Sequence, residues 1–424
     1  MYYYLGIDFG TSGVRAVVID RQHQIITKSR FSWDEVASER LIQTWQDTLF
    51  TLIARISLEV RKNIKAIAIN GTSSTVLLCD ATGNPLTEPL LYNDSRGKAV
   101  LNQIKAIAPD NHVVISATSS LAKLFWWQQQ PYFQGASYLM HQADWLACLL
   151  HGKPGVSDHH NALKLGYDVD VLRYPDWLQK LSFSNLYPQV LTPGTPVGTV
   201  TLANCDRLKL PTDCIVRTGT TDSIAAFLAS GASQPGEAVT SLGSTLVLKL
   251  LSRTKVTDST SGVYSHRLGN LWLAGGASNT GGAVLQHFFS TQQLQQLSSQ
   301  IEPTTVSPLQ YYPLLQPGDR FPINDPKLLP QLSPRPSNDV DFLHGLLAGI
   351  SRIEKLGYQK LQEMGSDRLT RVYTAGGGAK NATWSKIRQH YLQVPVLQAN
   401  QTEAAYGTAL LAAGALMPNI ERLS

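Results

Sequence analysis

The sequence predicts an α/β protein built from two domains. Three observations carry that expectation. The chain has 424 residues, more than one ordinary hydrophobic core accommodates. Short β-branched runs alternate with segments of helical period. A strand, a Gly/Ser/Thr turn and a second strand open the chain, and the same pattern returns near residue 240.

The elements follow in order. Tyr3–Ile7 reads as a buried strand, Gly10 and Gly13 break it, and Arg15–Ile19 reads as a second strand. The polar turn Asp20-Arg21-Gln22-His23-Gln24 lets Ile25–Ser29 return as a third, giving an antiparallel meander. Leu49, Leu52, Ile53 and Ile56 lie at helical spacing within a helix expected over Ile42–Arg61. Ile64–Ile69 is a β-branched strand that runs into Gly71-Thr72-Ser73-Ser74. Helices are expected near Leu121–Gln129 and Gln142–Leu150. The cluster Gly231-Ala232-Ser233-Gln234-Pro235-Gly236 marks a domain boundary. After it, Ala238–Leu242, the turn Gly243-Ser244-Thr245 and Leu246–Leu251 repeat the layout of residues 3–19, which points to an internal duplication. Residues 303–340 are proline-rich and aperiodic, so they read as an irregular excursion. Arg371–Ala375 reads as a strand leading into Gly376-Gly377-Gly378, and a last helix is expected over Glu403–Met417.

Composition narrows the function classes. Apolar residues make up 43% and charged residues 16%, which excludes a disordered chain. The net charge of +5 comes from 36 basic and 31 acidic residues. No Lys/Arg run concentrates it, so no nucleic-acid partner is implied. Cys79, Cys148, Cys205 and Cys214 form no C-x-x-C pair, and their spacing fits neither a zinc site nor a disulfide framework. A reducing, cytoplasmic compartment is the expectation. The N-terminal residues carry no basic region followed by an apolar one, and no apolar run is long enough to cross a bilayer.

Asp8–Gly13 has two readings. Its glycines and hydroxyls suit an ordinary hairpin turn. They also suit a phosphate cradle, with Asp8 at the strand end as a Mg²⁺ ligand. The tripeptide Asp8-Phe9-Gly10 is not the protein-kinase metal motif, which must follow a Gly-rich loop, a strand lysine and a catalytic loop. The P-loop pattern is absent as well. Asp222, in Gly219-Thr220-Thr221-Asp222-Ser223, is either a helix N-cap or a general base for a hydroxyl nucleophile. Gly376-Gly377-Gly378, with Asn381 and Trp384 on the helix after it, suits a nucleotide lying against backbone, although tryptophan is more often a core residue. His141 and His159-His160 show no metal-ligand spacing and read as core or solvated side chains.

Together these segments resemble the FGGY family of carbohydrate kinases over nearly the whole chain. Residues Gly6–Arg15 resemble the family's first phosphate motif. Leu91-Tyr92-Asn93-Asp94-Ser95-Arg96 is similar to its W-N-D-x-R segment, with Tyr92 in place of tryptophan. Lys123 and Trp126 resemble the helix ending in K-x-x-W, and Gly219–Asp222 the G-x-x-D element carrying the catalytic base. Leu242–Thr245 resembles the second phosphate motif, Ala375–Trp384 the adenosine motif, and Glu403–Ala409 the closing helix.

The resemblance implies a two-lobed, duplicated ribonuclease H-like, actin-type ATPase fold with a central cleft. The sugar-side lobe would be residues 1–229 completed by a helix at 403–420, and the ATP-side lobe residues 230–402. It implies ATP and Mg²⁺ as cofactors, a small sugar as substrate, no nucleic-acid or membrane partner, and a monomer or homodimer. Asp222 would be the catalytic base, Asp8 the metal ligand, and Asp8, Ser73, Asp94 and Asp222 the sugar contacts. Thr11, Ser12, Gly13, Gly243, Ser244, Thr245, Gly377, Gly378, Asn381 and Trp384 would bind ATP. At Gly71-Thr72-Ser73-Ser74-Thr75 the chain lacks the Gly-Gln-Met-His-Gly of xylulose kinases and the Arg-Glu pair of glycerol kinases. The short hydroxyl-rich version is more like D-ribulose kinases, so D-ribulose is the expected substrate and D-xylulose the alternative. A non-catalytic sugar or nucleotide sensor on the same fold is the reading from another class.

Overall fold

The computed structural model describes residues 1–33, 40–258 and 260–414. The chain divides into two compact units, one formed by Met1–Ala229 with the segment that begins at Glu403, the other by Ser230–Thr402.

The first unit opens with β1 (Tyr3–Gly10), β2 (Gly13–Ile19) and β3 (Ile25–Ser32), paired antiparallel in sequence. Gly13 is required at the first turn: its φ is +151°, and a Cβ there would lie 2.2 Å from the Phe31 carbonyl oxygen. The expected single helix over Ile42–Arg61 is instead α1 (Leu41–Ala54) and a one-turn α2 (Leu58–Arg61). The apolar period continues to Ile56, but Ser57 stands extended at ψ 145° and restarts the helix. β4 (Ile64–Gly71) then returns parallel to β1.

Between β4 and the end of the sheet the chain makes an α/β excursion. It contains β5 (Val76–Cys79), α3 (Leu101–Lys105), α4 (Ser120–Gln128), β6 (Tyr138–His141), α5 (Gln142–His151), β7 (Val156–Asp158), α6 (His159–Ala162), α7 (Asp176–Gln179) and β8 (Gln189–Leu191). The strands β9 (Pro196–Thr199) and β10 (Ile215–Arg217), with α8 (Leu202–Leu208) between them, complete a sheet of order β3-β2-β1-β4-β10-β9. A two-residue strand, β11 (Thr220–Thr221), pairs the end of β4 and leads into α9 (Asp222–Ala229).

The second unit repeats this plan. β12 (Glu237–Leu242) and β13 (Leu246–Ser252) form a hairpin, and β14 (Tyr264–Leu268) and β15 (Leu271–Ser278) continue it antiparallel. The helices α10 (Gly282–Phe288), α11 (Thr291–Ser298) and the long α12 (Asp339–Glu363) follow. No helix or strand lies between α11 and α12, as the proline content of 303–340 led one to expect. β16 (Arg371–Ala375) runs parallel to β12, and after α13 (Ala382–Leu392), β17 (Val396–Gln398) runs parallel to β16. The order is β14-β15-β13-β12-β16-β17. Both sheets thus place an antiparallel meander beside parallel strands, the plan of a duplicated ribonuclease H-like fold. Each unit has its own core, one around Phe9, Ile67 and Trp145, the other around Leu248, Phe342 and Trp384.

The expected final helix is found as α14 (Ala404–Ala412), capped by Glu403 and Ala413; the part of 403–420 from residue 415 on lies outside the described residues. It packs on the first unit at backbone contact. A Cβ on Gly6 would fall 2.1 Å from the Ala409 nitrogen, and one on Gly407 would fall 1.9 Å from the Ala225 oxygen. Glycine at both positions lets β1, α9 and α14 meet without a side-chain layer. Overfilling such a contact typically costs about 1–3 kcal/mol. Gly407→Ala is therefore expected to lower the urea midpoint of the first unit with little change in m-value; an unchanged midpoint would contradict the close packing.

Candidate active site

Strand register assembles the first part of the site. Asp8 on β1 stands opposite Asn70 on β4, and Thr220 on β11 stands on the other side of Asn70. Thr221 pairs with Gly71, and Asp222 follows as the first residue of α9. Gly219 allows this approach, since a Cβ there would lie 1.7 Å from the Ile69 oxygen. Asp8, Asn70 and Asp222 are thus gathered at the carboxyl end of one sheet.

This row is short of hydrogen-bond donors. Asp8 is buried, and its Oδ1 has no hydrogen-bond partner among the described residues. Its Oδ2 lies 3.7 Å from Arg15 Nη1. Asn70 Nδ2 donates to Thr408 Oγ1 on α14 at 2.5 Å, while Asn70 Oδ1 is unpartnered. Thr221 Oγ1 is buried and unpartnered as well. Each such atom costs about 1–3 kcal/mol, so three together describe a place prepared for a polar ligand. The Asp8 carboxyl is pushed up to about 7, first by burial and then by the Asp222 charge; Arg15 and the Asn70 amide pull it back, and Glu403 adds a smaller push. Asp222 is only half-buried, and its Oδ1 accepts from the Ser223 N–H at 2.6 Å. Asp222 is thus the first residue of α9 rather than its cap, and it carries the charge that Asp8 feels.

The loop after β4 differs from the sequence expectation. Thr72 Oγ1 and Thr75 Oγ1 bond each other at 2.6 Å, and Gln142 Oε1 accepts from the Thr72 N–H and hydroxyl at 3.1 and 3.2 Å. Those hydroxyls are used to close the loop. Ser73 is half-buried, and it is Ser74, at φ 63°, whose Oγ is buried and unpartnered. Sequence reasoning passed over Ser74 because burial, not residue type, distinguishes it from Ser73. Lys123 anchors the same loop: its fully buried Nζ donates to the Ser74 and Leu91 carbonyls, each at 2.6 Å. Burial lowers its pKa to about 7 against the opposing pull of Asp94. Asp94 Oδ1 accepts from the Arg96 N–H at 3.0 Å, its Oδ2 pairs with Arg96 Nε at 3.0 Å, and it lines a surface pocket of about 580 Å³ with Leu91, Asn93 and Arg96. Asp94 and Ser73 are thus tied to loops that Lys123 joins.

In the second unit, glycines surround the β12–β13 turn. The Gly243 and Ser244 carbonyls accept from the Gly282 and Ala283 N–H groups at 2.8 and 3.1 Å. Gly281 has φ +147° and Gly376 has φ +82°; a Cβ on either would fall 2.7 Å from the Ser244 and Leu242 oxygens respectively. Among the described residues nothing lies within 4 Å of where a Gly377 Cβ would stand. Three backbone segments therefore meet at Gly243-Ser244-Thr245 and leave its surface open, as close approach by a phosphate needs. The pair Gly281-Gly282 was not singled out from sequence, although its dipeptide at a strand–helix junction was the available signal.

Trp384 corrects an expectation. It is 1% exposed, lies in the core, and donates from Nε1 to Ser351 Oγ at 3.3 Å. It presents no free face to a purine; its ring instead comes within 2.8 Å of where a Gly378 Cβ would be, supporting that glycine from below. Asn381 caps α13 by accepting from the Trp384 N–H at 2.9 Å and donates to Ser298 Oγ at 2.8 Å. Beneath β12 and β16 lies a fully buried ion pair. Arg388 donates to both Glu354 oxygens at 2.7 Å, Arg388 Nη1 bonds Thr374 Oγ1 at 2.6 Å, and Thr240 Oγ1 donates to Glu354 Oε1 at 2.5 Å. Thr240 and Thr374 face each other across the two strands, so this network locks the strands that carry the glycines.

Among the described residues no group of three or more His, Cys, Asp or Glu is placed to hold a metal. A Mg²⁺ that arrives with nucleotide needs less, one or two carboxylates plus phosphate oxygens, and the unpartnered Asp8 Oδ1 fits that demand.

The raised Asp8 pKa has a consequence for stability. The folded chain holds the Asp8 proton up to about pH 7, whereas an ordinary Asp releases it near 3.8. The associated stability is complete below 3.8 and is lost as pH rises through about 7. Asn has no proton to lose. The melting temperature of Asp8→Asn relative to wild type should therefore climb between those pH values and level off above them, at about 1.4 kcal/mol per pKa unit. A difference that does not vary with pH would show that Asp8 is not held neutral.

Comparison with known proteins supplies the context for this geometry. The xylulose kinase of Staphylococcus epidermidis is 23% identical over 96% of this chain and 87% of its own. The L-fuculokinase of Salmonella typhi is also 23% identical, over 96% of this chain and 91% of its own. Among solved structures, a xyloylose kinase from Brucella ovis superposes with a TM-score of 0.83 at 23% identity, covering 98% of this chain and 91% of the other. Residues 3–229 match the N-terminal domain of the FGGY family of carbohydrate kinases and residues 238–416 its C-terminal domain, and the chain belongs to that family.

Proposed function

We propose that this protein transfers a phosphoryl group from ATP to the terminal hydroxyl of a ketopentose, with Asp222 as the general base. The row of unpartnered acceptor oxygens on Asp8, Asn70 and Thr221 is the observation that carries this reading. A polyol brings several hydroxyl donors to one place, and this row lacks donors. The two carboxylates divide the work by environment. Asp8, buried and raised towards neutrality, would accept a hydroxyl or hold Mg²⁺ with the nucleotide. Asp222, half-buried, would take the proton of the attacking hydroxyl. Mg²⁺, when bound, would supply charge neutralisation on the phosphates. The remaining catalysis is positioning and water exclusion. Sugar binding is assigned to the first unit through Asp8, Ser73, Asp94 and Asp222, joined now by Asn70 and Ser74. Nucleotide binding is assigned to Thr11, Ser12 and Gly13 and to Gly243, Ser244, Thr245, Gly377, Gly378 and Asn381.

D-xylulose takes first place among ketopentoses. D-ribulose was expected from the likeness of the hydroxyl-rich loop Thr72–Thr75 to that of D-ribulose kinases, and two of its four hydroxyls are spent on each other. Relatives named xylulose kinase, such as those of Staphylococcus epidermidis and Bacillus subtilis, align over nearly the whole chain. D-ribulose is kept as the second reading, because Ser73 and Ser74 still offer hydroxyls there.

The test is an ADP-release assay with ATP and Mg²⁺ on D-xylulose, D-ribulose, L-ribulose and glycerol, repeated with Asp222→Asn. The highest kcat/KM is expected on D-xylulose, with a loss of about 10²–10⁴-fold in kcat for the variant. Near-normal turnover by Asp222→Asn would end the base assignment, and preference for glycerol would end the ketopentose one.

A further inference from the structure

His159-His160 is the feature of the sequence that neither fold nor chemistry has yet absorbed. Asp158 fixes its place. Asp158 Oδ1 accepts from the N–H groups of His160 and Asn161 at 2.8 and 3.1 Å, and Asp158 Oδ2 accepts from Asn161 Nδ2 at 2.6 Å. The short α6 therefore starts in one defined geometry. His159, His160 and Asn161 are all buried, and the two imidazoles meet edge to face at 4.6 Å between centroids. From there His160 Nδ1 reaches Thr220 Oγ1 at 2.7 Å.

Thr220 is the first of the two residues of β11, and Asp222 follows that strand directly. A strand this short has little ladder of its own, so its position depends on what grips it. Gly219 is pressed on Ile69. Before it, Thr218 Oγ1 donates to the Thr192 carbonyl at 2.8 Å and accepts from the Thr195 N–H at 3.0 Å. On Thr220 itself the grip is the His160 ring. Threonine is stiff at χ1, so fixing its hydroxyl also fixes the backbone from which Thr221 and Asp222 project.

We propose that His160 is a positioning residue for the phosphoryl-transfer reaction: through Nδ1 and the Thr220 hydroxyl it sets the β11–α9 junction that carries Asp222. The proposal rests on Asp222 being the base. It concerns kcat, because misplacing a reacting group by about 1 Å costs up to about 10²-fold in rate, whereas nucleotide KM should stay near wild type.

The bond runs from Nδ1, which gives the test its discrimination. An asparagine amide falls near the position of Nδ1 and a glutamine amide near that of Nε2. His160→Ala, His160→Gln and the near-isosteric Thr220→Val are each expected to lower kcat about tenfold or more, with His160→Asn within about threefold of wild type. The double variant His160→Ala/Thr220→Val should be no slower than the slower single one. Unchanged kcat per folded molecule in Thr220→Val, or asparagine no better than glutamine, overturns the proposal. Should His160→Ala not fold, the Asn, Gln and Thr220→Val variants decide. Asp222→Asn is measured alongside. If it keeps its rate, the base reading falls; if it collapses while Thr220→Val keeps its rate, the base reading stands and the role of His160 falls.

Discussion

The structure depends on a carboxylate placed where water solvates it poorly. Asp8 lies near the carboxyl end of β1, in the middle of the first sheet, and burial together with the Asp222 charge pushes its pKa to about 7. Such a group survives only where the surroundings are rigid enough to prevent relaxation. The rigidity is visible. Gly6, two residues before Asp8, lies against the backbone of α14, and the same helix supplies Thr408 to hold Asn70 beside Asp8. The return of α14 to the first unit is thus a condition of the site. Stability is given up at one strand end and recovered by close packing one turn away.

The same reasoning explains Lys123. A fully buried ammonium bonded to two carbonyls is an expensive way to join two loops, and burial brings its pKa down to about 7. Its use is that carbonyls, unlike side chains, cannot swing away. Ser74 and Leu91 are fixed at the backbone, and with them the short segments bearing Ser73 and Asp94. Arg388 and Glu354 do the equivalent for β12 and β16, in the form of a buried ion pair whose remaining hydrogen-bond capacity is taken up by Thr240 and Thr374.

Much of the fold was legible because it is written in period and punctuation. The meander, the β-branched β4, the hairpin at β12–β13 and the strand before Gly376 came within a few residues. Asp8 and Asp222 stood out as candidates through the order of family-like motifs around them, since an acid beside a glycine-rich turn is by itself an ordinary turn or cap residue. What was not legible depends on contacts between residues far apart in sequence. Ser57 interrupts a helix whose apolar period runs on. Thr72 and Thr75 look like ligand hydroxyls until they are found bonded to each other. Trp384 looks like a purine platform until the core is seen to close over it. Asn70 and His160 carried no local signal, since their importance lies in Thr408 and Thr220, 338 and 60 residues away.

Duplication gives the last step of the argument. The two hairpins correspond in sequence, Gly10-Thr11-Ser12 against Gly243-Ser244-Thr245, although the first ladder closes on Gly10 and Gly13 and the second on Leu242 and Leu246. Two residues before each glycine stand Asp8 in the first copy and Ser241 in the second. Their partners on the adjacent parallel strand are Asn70 and Ala375. One scaffold thus carries a carboxylate and an amide in one copy, and a hydroxyl and a methyl in the other. An anion approaching the first turn meets Asp8, which favours a bridging cation or a neutral polyol. An anion approaching the second meets Ser241 and Ala375 at that place, while the buried pair of Glu354 and Arg388 lies below the strands. Two differences at equivalent positions, Asp8 against Ser241 and Asn70 against Ala375, change what each turn presents, because the strands that carry them follow the same plan.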